Sequence, residues 1–201
     1  MIRLQSLYFG SIPYWATVAA NKQIVIDIHE HFEKQSYRNR VMILGPNGPQ
    51  ALIIPIHGRN KKHSMGELRI SYEEDWLRIH LNSLQTAYRS APYFDYLYQE
   101  IEAVLLRKHA LLMELNMDLL RFFIHRLKIQ TELKTSHAYE LLPTEQEGRY
   151  SFHPKQENKV LPPYPQVFQE KYGFVSGMGL IDLLMNDLSG AAAYLKQPAL
   201  R

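Results

Sequence analysis

"GSIPYWATVAANKQIVIDIH" (residues 10–29) decides the fold class. Ser11 suits an N-cap and Pro13 the first turn, so a short helix is expected over roughly 12–21. Only Lys22 then separates it from "QIVIDIH" (23–29), a β-branched run whose unbroken apolar start reads as a buried strand. Upstream, "RLQSLYF" (3–9) reads as another strand. Strand, helix and strand in close succession are the unit of an α/β domain.

Two further strands are expected at 40–44 and 50–56. "GPNGP" joins them, and its Asn47-Gly48 pair favours a tight hairpin. "HGRNKKHSMG" (57–66) reads as a mobile loop and "ELRIS" (67–71) as a last short strand. From Tyr72 to about Ile129 the period becomes helical. Leu77, Leu81, Leu84 and Tyr88 share one helix face, and Pro92 ends that helix. Helices over roughly 93–108 and 110–127 follow. Residues 132–141 read as a strand and a loop, and the proline-rich 143–165 as an irregular connector or lid. Two short helices around a glycine-rich turn close the chain. The expected fold is α/β: a Rossmann-like small sheet with an N-terminal strand–helix–strand, a β-hairpin and a helical layer.

The 201 residues suit one domain, with an α/β part over about 1–71, a helical part over about 72–129 and a connector with helices over about 130–201. No cysteine is present, so disulfides, thiolate metal sites and a cysteine nucleophile are excluded. The first residues lack a basic segment followed by a long apolar run, so no signal peptide is expected, and the chain reads as cytoplasmic. No run of about 18 apolar residues predicts a membrane span. The net charge is +3 and spread along the chain, without the interleaved aromatics of a nucleic-acid platform. An anionic small molecule or a nucleotide-linked substrate is the expected partner, and nucleic acid is not.

"HEHFEKQSYRNR" (29–40) is the densest chemistry. If the strand at 23–29 continues, Asp27, His29 and His31 share a face, which would suit a metal-dependent hydrolase. Glu30 or Glu33 could instead pair with Arg38 or Arg40. Lys34, Arg38 and Arg40 lie near one turn with Asn39, and arginine forks suit phosphate or carboxylate. Arg149, His153 and Lys155 put a second basic group in the connector. There is no GxSxG elbow, P-loop or GxGxxG after a strand.

Several motifs recur together in order: "YFGSIPYWA", "HEHFEKQSYRNR", "NG" before an "IPI" strand, "RISYEEDW", "HLNSLQTAYRSAPYFDYL", "LNMDLL", "GRYSFHPK", "YPQVFQEKYGF" and "GLIDLLMN". On them, the chain resembles the WbqC-like protein family, in its short form, over nearly its whole length as a single domain. That resemblance implies a role in cell-surface polysaccharide (O-antigen type) biosynthesis. A transferase acting on an anionic sugar or activated acyl intermediate is the leading expectation, and a non-catalytic scaffold of the same pathway is its alternative. It carries over Tyr8, His29, Glu30, Lys34, Ser36, Tyr37, Arg38, Asn39, Arg40, Tyr88, Pro92, Tyr93, Arg149, Pro154, Lys155, Tyr164, Gln166 and Asp182. His29 and Glu30 are the expected proton-handling pair. Tyr8, Lys34, Ser36, Tyr37, Arg38, Asn39, Arg40, Tyr93, Arg149, Lys155, Tyr164 and Gln166 are the expected substrate contacts, all in one cleft. No cofactor is specified and no metal ligand is assigned. The chain departs from the longer members in its "MNDLSG" ending and lacks their glycine-rich segment and the second histidine signature of nucleotidylyltransferases.

Overall fold

A computed structural model describes residues 1–58, 63–143, 146–155 and 160–200. β1 (Ile2–Leu4), α1 (Ile12–Ala20) and β2 (Gln23–Ile26) form a parallel strand–helix–strand unit. β5 (Glu132–Thr135) adds to β2, also in parallel, giving the order β1-β2-β5 with Ile24 opposite both Ile2 and Leu133. Ser11 takes the N-cap position of α1 and Pro13 its first turn, although no side-chain capping bond forms.

β3 (Arg40–Gly45) and β4 (Gly48–Ile53) make a separate antiparallel hairpin. Gly45 pairs with Gly48, so Pro46 and Asn47 form the turn, one residue earlier than the expected Asn47-Gly48. Gly48 has φ +102, which a side chain would resist. The helical layer consists of α2 (Trp76–Tyr88), α3 (Phe94–Leu105) and α4 (Leu112–Arg126). α2 packs on β3 and α3, and α3 packs on α4. A short α5 (Gln169–Tyr172) precedes α6 (Leu180–Tyr194), which crosses α1, α2, α3 and β3. α6 bends at Asp187, whose φ and ψ are −150 and 70. One apolar core runs from Leu4 and Trp15 through Leu84 and Phe123 to Leu183.

Mixed α/β architecture, hairpin and helical layer are as expected; several boundaries are not. β1 stops at Leu4, short of the expected Phe9, and Phe9 and Gly10 at φ 60 and 72 then turn the chain into α1. The indole Nε1 of Trp15 fixes that turn by donating to the Phe9 carbonyl at 2.7 Å. β2 stops at Ile26, three residues short of His29. Residues 67–71 are no strand: Met65–Glu67 is a 3-10 turn, followed by single bridges of Ile70 to Ile56 and Arg69 to Leu111. The expectation of mobility at 57–66 falls in part on 59–62, outside the described residues.

Candidate functional site

The carboxyl edge of a parallel sheet is where open α/β folds bind ligands. Here that edge is filled by charge. Asp27, the first residue past β2, accepts from the His29 amide and the Ser136 hydroxyl, both at 2.8 Å. Its other oxygen accepts from Arg149 Nη1 at 2.6 Å. Arg149 arrives from the connector, 122 residues away. The remainder of its guanidinium is taken by Glu147 and by the Glu140 carbonyl, and the Tyr139 ring lies 4.6 Å from its centre. Asp27 and Arg149 both have 0% side-chain exposure. Buried ions are tolerated only when paired in this way.

These contacts correct the Asp27/His29/His31 metal alternative. A shared face needs an extended chain, and β2 has already ended. Asp27 is committed to the buried network, while His29 and His31 are exposed. Among the described residues no group of three or more His, Asp or Glu side chains is placed to hold a metal ion.

A second buried pair stands beside the first. Arg38 Nε and Nη2 donate to the two oxygens of Glu30 at 3.0 and 2.7 Å. Nη1 reaches Glu33 at 3.2 Å, and Nη2 also approaches the Arg149 carbonyl at 3.4 Å, joining the two networks. Burial pushes the Glu30 carboxyl up to about 7, against the pull of the Arg38 fork. His153 Nε2 lies 3.5 Å from Glu33, so the connector also touches this turn. The Ser36 hydroxyl donates to the Glu33 carbonyl at 2.6 Å, and the Tyr37 carbonyl accepts from the Tyr8 amide at 3.0 Å.

The outer side of the same turn opens into a cleft of about 190 Å³. Lys34, Gln35, Asn39 and Arg40 supply its polar wall, and Phe32, Ile53, Ile54, Pro55 and Ile56 its apolar wall. Gln35 holds φ 59, which turns the chain between Lys34 and Ser36. Asn39 locks the turn to β4: its side-chain Nδ2 donates to the Ile54 carbonyl at 2.8 Å, and its backbone carbonyl accepts from the Ile54 amide at 2.8 Å.

The remaining expected residues do not join this cleft; they divide among separate places. Tyr8 is buried and donates to His80 Nδ1 at 3.0 Å, because His80 Nε2 must donate to the Ile53 carbonyl at 3.2 Å. Burial pushes His80 down to about 4. Tyr164 and Gln166 gather with Tyr88 around the buried Asp182 carboxylate, each donating at 2.8 Å. Tyr93 bonds Ser189 instead, and Lys155 is exposed on the connector. The partners Ser136, Glu140, Glu147 and His80 escaped the sequence as site members; Asp27 is expected only as a metal-ligand candidate and Asp182 only as a residue the resemblance carries over, neither as the hub of a buried network. Only the Glu147–Arg149 spacing offered a local signal; the rest depend on long-range folding.

The model of the WbqC-like protein family matches residues 5–159. A relative, the Uncharacterized protein Rv1507c of Mycobacterium tuberculosis (strain ATCC 25618 / H37Rv), is 27% identical over 139 residues. That alignment covers 69% of this chain and 60% of the relative, so the chain spans less than two thirds of that protein's length. No solved structure matches.

Proposed function

The chain belongs to the WbqC-like protein family, and on that footing we propose that it is a transferase-like enzyme for an anionic sugar or activated acyl intermediate of cell-surface polysaccharide biosynthesis. The cleft between the 32–40 turn and β4 carries this reading. Lys34 and Arg40 offer two cationic groups to a phosphate or carboxylate, with Asn39 and Gln35 beside them for neutral hydrogen bonds. The facing wall of Phe32, Ile53, Ile54, Pro55 and Ile56 suits an apolar body attached to that anion. His29, exposed on the approach to the same turn, is the side chain to move a proton. Glu30 and Arg38 hold the turn from behind. The parallel β1–α1–β2 unit supports a Rossmann-like reading of the sheet. No helix among the described residues is long and apolar enough to cross a membrane.

Calorimetric titration with UDP-N-acetylglucosamine, acetyl-coenzyme A and inorganic phosphate tests the assignment. At least one should bind the native protein, and Arg40→Ala should weaken it tenfold or more with an unchanged melting temperature. Equal affinity in Arg40→Ala, or no binding of any of the three at millimolar concentration, overturns it.

A further inference from the structure

We propose that the open edge of β5, together with the basic face of α4 beside it, is a docking strip for an extended acidic peptide segment of a partner protein. This surface is distinct from the cleft and does not depend on its assignment.

Three features of the fold converge there. The order β1-β2-β5 leaves β5 outermost on its side of the sheet. Glu132 and Ser136 donate inward, to the Lys22 and Ile26 carbonyls at 2.8 and 2.9 Å. Alternation along a parallel ladder therefore turns the N–H and C=O groups of Leu133 and Thr135 away from β2. Among the described residues these groups have no hydrogen-bond partner. The opposite edge of the sheet is covered, because Gly148 donates to the Arg3 carbonyl and Glu147 bridges Arg3. An unpaired edge is a template for an added strand.

The second feature is a groove of about 510 Å³ between the end of α4 and the start of β5, which it meets at Leu133. Ile124, Ile129 and Leu133 form its floor, and Arg121, His125 and Lys128 its rim. The third is the charge of that rim. Arg121 and His125 lie one turn apart on α4, and Lys128 follows just past its end, where φ 52 turns the chain toward β5. Nearby Asp118 is already claimed by Arg107 and His109, with Arg121 at 3.4 Å, and Glu132 is held by Lys134 and Gln23. Lys128 and His125 have no carboxylate within ion-pair distance among the described residues. The strip is therefore net positive and selects acidic side chains. Its backbone edge selects an extended peptide over nucleic acid. A second copy of this chain would bring one basic rim against another, which opposes edge-to-edge dimers.

A fluorescein-labelled peptide of alternating valine and glutamate is the probe, titrated with the full chain and read by polarisation. Binding should weaken steeply between about 50 and 300 mM salt. Arg121→Glu/Lys128→Glu should weaken it at least tenfold, whereas Lys34→Ala, in the cleft, should leave it unchanged. The amides of Leu133 and Thr135 should become protected from hydrogen exchange in the complex; this readout needs no variant at the edge itself. Several outcomes overturn the proposal: equal binding of a control peptide of alternating valine and lysine, no effect of the charge reversal, unprotected Leu133 and Thr135 amides, tighter binding of an oligonucleotide, or concentration-dependent dimers.

Discussion

Arg38 and Glu30 meet as a closed fork with both side chains 1% exposed. A pair this deep adds little net stability, since desolvation offsets the attraction, but losing one member strands a buried charge. Arg38→Met should therefore cost about 3–5 kcal/mol in urea unfolding. Arg38→Met with Glu30→Leu should recover most of that loss. A single variant within about 1 kcal/mol of the native protein would show that the fork is open in solution.

Arg149 joins the connector to the end of β2 through Asp27. Arg149→Met leaves Asp27 and Glu147 without their shared cation. Residues 146–155 should then lose hydrogen-exchange protection before the helices do, and limited proteolysis should cut there first. Unchanged protection across 146–155 contradicts this.

Two buried groups titrate in opposite directions. His80 is pushed down to about 4 from its ordinary 6.5, so the stability it contributes is present above pH 6.5 and lost as pH falls through 4. That loss is on the order of 3 kcal/mol. Glu30 is pushed up to about 7 from 4.5, so its contribution is greatest below pH 4.5 and lost as pH rises through 7. Native-minus-variant stability should thus climb with pH between 4 and 6.5 for Tyr8→Phe/His80→Phe, and fall with pH between 4.5 and 7 for Glu30→Gln. Flat difference curves would refute both assignments, and a slope of the wrong sign the one concerned.

Asp182 ties α2, the connector and α6 through Tyr88, Tyr164 and Gln166. Burial raises its carboxyl, and the three donors oppose that rise. Tyr164→Phe removes one charge-assisted bond and should cost about 1.5–3 kcal/mol. Asp182→Leu removes the acceptor of two buried hydroxyls and one acceptor of the Gln166 amide, which keeps the Val175 carbonyl, and should cost more. Equal costs would mean that the other donors compensate. Chemical denaturation of the two variants side by side decides it.

Glycine at 179 permits the close crossing of α6 over β3. An added Cβ would overlap Val41 Cγ2, and the Gly179 amide donates to the Met42 carbonyl at 2.8 Å. Gly179→Ala should lower thermal stability by roughly 1–3 kcal/mol, as overpacked sites do. A neutral effect in calorimetry would show that the crossing can relax.

Local pattern alone determined much of this protein. Ser11 and Pro13 placed α1, the β-branched run placed β2, and leucine periodicity placed α2 to α4, because periodicity and capping act over a few residues. Density of charge marked 29–40, and Lys34, Asn39 and Arg40 do line a cleft there. The length of β2 was not legible: "IVIDIH" reads as one strand, yet Asp27 leaves it to meet Ser136 and Arg149, more than 100 residues on. The same holds for the arginines. Sequence cannot distinguish a fork waiting for a ligand from one already closed by a carboxylate, since both need the same residue. Only the tertiary fold brought Glu30 to Arg38 and Asp27 to Arg149, filling the carboxyl edge from within. It left Lys34 and Arg40 on the outer cleft, and it sent Tyr164 and Gln166 to a separate carboxylate, because long-range packing decides which charges are desolvated together.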